Sequence, residues 1–103
     1  MHPDRCKPPE HTRHLQELPN IGPAMAVDLQ LLGIHEPSQL KGRDALALYR
    51  ELGVLTQCRQ DPCVLDTLMS VTHFMDTGEA LPWWRFTAAR KAMPGDPAGG
   101  FPC

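Results

Sequence analysis

A chain of 103 residues, 42% of them apolar, is long enough for one modest core and too short for two. Ten Lys and Arg against twelve Asp and Glu leave a net charge of −2. That balance excludes the broad basic field of a dedicated high-affinity nucleic-acid binder and leaves local contact with a phosphate backbone open. No window approaches the ~18 apolar residues of a membrane span, and no apolar run follows Met1-His2-Pro3-Asp4-Arg5 to make a secretory signal. The cysteines at 6, 58, 63 and 103 are therefore expected as reduced thiols in a cytoplasmic protein.

Residues 1–10 carry three prolines among alternating charges and read as a mobile N-terminal tail. Residues 94–103, dense in Pro and Gly, read as a second tail, which leaves 11–93 as the folded domain. A short helix is expected from Thr12 to Leu18, with Leu15 and Leu18 on one face and Pro19 ending it. Pro23 suits the first position of a second helix, which runs to about Leu32 and stops at Gly33. Pro37 opens one further turn, closed by Lys41-Gly42. Asp44 caps a helix carrying Leu46, Tyr49 and Leu52, with Gly53 after it. Asp61-Pro62 starts a long helix to about Thr77, ended by Gly78. Leu81–Phe86 opens a last short helix into Lys91. No stretch alternates with period two, so the expectation is an all-α domain of five or six helices. Its predicted core is Leu18, Ile21, Ala26, Leu29, Leu32, Leu46, Leu52, Leu65 and Leu68.

The segment Leu18-Pro19-Asn20-Ile21-Gly22-Pro23 joins the first two helices across a very tight turn. Such a turn needs left-handed backbone, which Gly22 supplies without steric cost. Ile21 plugs the gap between the helices. The second helix then begins with unpaired N–H groups beside its positive dipole end, which is a site for an anion.

Together with Ala24, Met25, Ala26, Leu29 and Gly33-Ile34, this segment resembles the helix-hairpin-helix signature. That family has glycine where this chain has Asn20; asparagine is the best non-glycine resident of the left-handed region. Leu40-Lys41-Gly42-Arg43-Asp44, Leu48-Tyr49, Asp61–Leu65 and Trp83-Trp84 extend the resemblance to the small bacterial pathogenicity-locus proteins and to the C-terminal domain of the TfoX competence regulators. The resemblance implies weak DNA binding that is not sequence-specific, without catalysis or a cofactor. Backbone N–H groups of Asn20, Gly22, Ala24 and Met25 would hold phosphate, and carbonyls of Gln16, Leu18 and Ile21 would hold a monovalent cation.

Other clusters carry rival readings. Lys41 and Arg43 flank Gly42 before a capped helix, either as a second phosphate-facing loop or as a solvated basic turn. Trp84, Arg85 and Phe86 lie in a basic segment free of acidic residues, either packed on the long helix or presented to a protein partner. Trp83 and Trp84 are expected to divide, one ring in the core and one at its edge. Cys63 and His73 are too far apart on one helix to share a metal, so no metal site is expected. Asp66 and Asp28 are assigned to polar helix faces.

Overall fold

The computed structural model describes residues 1–58 and 60–93, so the expected tail at 94–103 lies outside the described residues. These form four α-helices and no strand: α1 (Pro23–Leu31), α2 (Ala45–Thr56), α3 (Pro62–Thr77) and α4 (Thr87–Lys91). Short 3-10 turns at Pro3–Arg5, Pro9–His11, Leu15–Glu17, Pro37–Leu40 and Trp83–Phe86 connect them. The all-α expectation holds, with four α-helices among the described residues in place of five or six.

The missing helix is the one expected from Thr12 to Leu18. Only Leu15–Glu17 winds, as a single 3-10 turn. The Glu17 carboxylate accepts the N–H groups of Arg13 and His14 at 2.8 and 2.9 Å, which satisfies these donors without a longer helix. Leu18 is extended, as the residue before a proline must be. The first ten residues, read from sequence as a mobile tail, carry two of the 3-10 turns, and Met1 is hydrogen-bonded to the Leu18–Ile21 backbone.

Cap and stop residues place the long helices. Asp44 and Asp61 accept N–H groups of Leu46 and Cys63 from the Ncap positions of α2 and α3. Gly33 and Gly78 follow α1 and α3 with φ of 80° and 82°, the left-handed backbone that closes a helix. Helix α2 does not stop at Gly53: it runs to Thr56 and ends on left-handed Gln57. The Cys58 N–H then closes back on the Gly53 carbonyl.

Helix α3 is the centre of the core and packs against α2 on one side and the Trp83–Phe86 turn on the other, while α1 rests on α2. Of the expected core residues all are buried except Leu46, which is half-buried. Leu15, Ile34, Leu40, Ala45, Leu48, Tyr49, Val71, Phe74 and Met75 complete the core among the described residues. No helix among the described residues is long and apolar enough to cross a membrane. Cys6 and Cys63 are free thiols.

Candidate functional site

The turn before α1 is set by Pro19 and Asn20. Leu18 to Ile21 form a β-turn closed by the Ile21 N–H on the Leu18 carbonyl, with proline at its second position and a positive φ at its third. The left-handed residue is Asn20, at φ 66°. Gly22 was expected to take that role and does not: its backbone is extended, φ −97° and ψ −174°, and a Cβ there would meet nothing within 4 Å. Glycine at 22 is thus required neither by strain nor by crowding.

Asn20 also anchors the turn. Its side-chain amide donates to Ser70 Oγ at 3.0 Å and to the Leu81 carbonyl at 2.8 Å, tying the loop to α3 and to the segment after it. Its own N–H donates to the Met1 carbonyl at 2.8 Å and is therefore not open to a phosphate. The N–H groups of Gly22, Ala24 and Met25 have no protein acceptor among the described residues; the first closed bond runs from Ala26 to Gly22. Pro23 between them has no N–H to offer. Gly22, Pro23 and Ala24 are exposed. The sequence-expected donors reduce to three, those of Gly22 before α1 and of Ala24 and Met25 in its first turn.

Two of the carbonyls expected to hold a cation accept hydrogen bonds from within the chain. The Met1 ammonium donates to Leu18 O and Ile21 O, at 3.0 Å each, and partial burial pushes its pKa below the usual amine value. Gln16 is not part of this contact.

The loop before α2 is built differently. Gly42 takes φ 74°, and its N–H donates to Asp76 Oδ1 at 2.9 Å. Asp44 is occupied as the cap. A carboxylate of α3 thus takes the main-chain donor of this loop. Lys41 and Arg43 remain exposed and in no ion pair among the described residues. Lys41 lines a cavity of about 560 Å³ with Arg13, Glu10, Glu36 and Asp76, where charges of both signs alternate.

The C-terminal segment packs on α3 with its indoles turned outward. Trp84 is 60% and Trp83 37% exposed, so neither ring enters the core as expected. They meet edge to face, 5.8 Å between centroids. Phe86 is half-buried against His73, which leaves Trp84 and Arg85 as the outward-facing pair.

Sequence reasoning missed what fixes this segment. Asp66, assigned to a polar face, is 1% exposed. It accepts from Arg90 Nε at 2.7 Å and Thr87 Oγ1 at 2.8 Å. The pairing spans 24 residues and leaves no local signal. Asp28 is half-buried, which pushes its pKa up. No group of three or more potential metal ligands gathers among the described residues.

The two sequence-level candidates are neighbours in space. Asn20, Ile21 and Gly22 share a cavity of about 430 Å³ with Met1–Pro3 and Pro82–Trp84. Fold and site define a small all-helical protein that sets an open helix N-terminus beside an exposed aromatic cleft. The sequence model of the Cdd1 pathogenicity-locus family matches residues 9–92, and the chain belongs to that family. It is 38% identical over 79 residues to the mitomycin resistance protein McrB of Streptomyces lavendulae, covering 77% of this chain and 75% of that protein. No solved structure matches.

Proposed function

We propose that this protein is a non-enzymatic, cytoplasmic DNA-binding accessory module that holds the phosphate backbone through main-chain N–H groups of Gly22, Ala24 and Met25. In this reading the Leu15–Glu17 turn, the Pro19–Pro23 loop and α1 make a helix-hairpin-helix whose first helix is reduced to one 3-10 turn. Asn20 is the left-handed pivot and not a donor to DNA, while Lys41 and Arg43 add positive charge from the neighbouring loop. One observation carries the reading: three clustered donors without acceptors at the start of α1, where α2 and α3 have an Asp cap on theirs. Affinity from main-chain donors and few basic side chains is weak, salt-sensitive and indifferent to sequence.

The test is a fluorescence anisotropy titration of labelled duplex at ~50 mM salt, where phosphate contacts are strongest. Ala24→Asp puts a carboxylate beside the open donors. It suits the helix dipole, so the fold is kept, yet it repels phosphate, and affinity falls about tenfold or more. Gly22→Val keeps the fold, because the backbone is extended and the space open, and covers the donors with a branched side chain. Wild-type protein that leaves duplex unbound rejects the reading.

A second reading, a protein-interaction module presenting Trp84, Arg85 and Phe86, is favoured by the exposure of Trp84. It requires that Trp84→Ala abolish capture of a partner in which DNA takes no part.

A further inference from the structure

We propose that the cleft between the Asn20–Gly22 backbone and Pro82–Trp84 receives one unpaired nucleobase, so that the preferred DNA carries an unstacked base beside its duplex. The inference rests on the phosphate-binding reading above and names the DNA structure that reading leaves open.

The cleft has the size of a small-ligand site, about 430 Å³. Its walls include the apolar side chains of Pro3, Pro82 and the two indoles, beside Met1 and His2. Trp83 meets Trp84 at an interplanar angle of 84°, and an edge-to-face pair cannot cover both faces of both rings. With 60% of its surface exposed, Trp84 keeps indole surface for a stacking partner.

The segment that carries the indoles is tied at both ends before any ligand arrives. Asn20 Nδ2 binds the Leu81 carbonyl at one end of the segment, and Asp66 holds Thr87 and Arg90 at the other. A backbone ordered in advance has less entropy to lose when a ligand stacks on the side chains it carries. The one side-chain amide lining the cleft, that of Asn20, is already committed to Ser70 and Leu81. Stacking on an indole is tolerant of base identity, because every base has a π-face.

Position completes the argument. Gly22 lines the cleft and is also the first of the three open donors. A nucleotide can therefore lay its base on the indole while an adjoining phosphate meets the start of α1. Inside a regular duplex both faces of a base are covered by its neighbours, so only an unpaired base fits.

The experiment compares a fully paired duplex with the same duplex carrying one extrahelical 2-aminopurine, using the full chain and anisotropy at ~50 mM salt. The bulged DNA is expected to bind about 5- to 150-fold more tightly, the range given by stacking of one base on an aromatic side chain. The 2-aminopurine fluorescence should fall on binding. Trp84→Ala should erase the preference and leave paired-duplex affinity within about twofold, because the indole lies off the phosphate contact. Trp84→Phe should restore part of the preference, which a merely unfolded variant would not.

Equal affinity for both DNAs, unaffected by Trp84→Ala, overturns the base site and leaves the phosphate reading standing. Loss of both DNAs together on Trp84→Ala, in protein shown folded by circular dichroism, places the indole on the backbone and also overturns it. Free 2-aminopurine riboside bound as tightly as the bulged DNA turns the cleft into a small-molecule site and overturns it. Absence of binding to either DNA by wild-type protein removes the phosphate reading and the base site with it.

Discussion

Two loops of this protein lead into helices and end differently. Before α1, Pro19 and Asn20 turn the chain, Gly22 offers no side chain, and three N–H groups are left without protein acceptors. Before α2, Gly42 supplies the left-handed residue, Asp76 takes its N–H, and Asp44 caps the helix. Both loops carry the same electrostatic invitation to an anion. The second has its anions built in, as two carboxylates, and the first does not. A helix N-terminus with internal acceptors is a structural joint; one without them and exposed is available to a ligand. The basic pair Lys41 and Arg43 flanks the closed loop, and what the open loop offers is main chain.

The largest expected effect comes from loosening the seat of the open helix. Leu29 is the fully buried residue of α1, and Leu29→Ala should cost about 2–5 kcal/mol in urea unfolding. Next is the pivot. Asn20→Ala loses both left-handed tolerance and two side-chain hydrogen bonds, about 2–3 kcal/mol together. Asn20→Gly should cost less, because glycine keeps the turn and loses only the tethers. The reverse order would show that Asn20 acts through its side-chain contacts alone. Smaller still is conversion of the closed loop into an open one. Asp76→Ala should cost about 1 kcal/mol, and by freeing Gly42 N–H and removing a carboxylate from the loop it should steepen the salt dependence of duplex binding by about one unit. In the parent protein, Lys41→Ala with Arg43→Ala should flatten that slope by less than the roughly two units of two full phosphate contacts.

The smallest effect is a pH dependence at the entry to the open loop. The N–H groups of Arg13 and His14 hold the Glu17 carboxyl down to about 2 from an ordinary 4.5. With the folded value below the unfolded one, its stabilising contribution is complete above pH 4.5 and is lost as the pH falls towards about 2. Acid unfolding of Glu17→Gln should lack that component.

Much of the scaffold was legible because its signals are local. Pro23, Asp44, Asp61, Gly33 and Gly78 mark helix ends by side-chain chemistry or backbone freedom that depends on a few neighbours. The helix at 12–18 was not, since so short a segment has little cooperative stability and a single carboxylate, Glu17, satisfied its first donors. The left-handed residue went to Asn20 because the turn starts at Pro19; proline followed by asparagine, the signature of a turn with positive φ at its third position, was the signal available. The Asp66–Arg90 pair and the Asn20 tethers join residues 24 to 61 apart, so the outward set of Trp84 and its closeness to Gly22 had no local trace. In the candidate site, the open donors could be read from the loop, whereas the cleft beside them required the fold.

The most direct measurement is an amide NMR titration of the full chain with unlabelled duplex DNA. The account predicts that the resonances of Gly22, Ala24 and Met25 shift together and saturably, and that Gly42, bound to Asp76, stays in place. Shifts confined to Gly42 and its neighbours, or no shift at Gly22 and Ala24 under conditions where the DNA is bound, would contradict it.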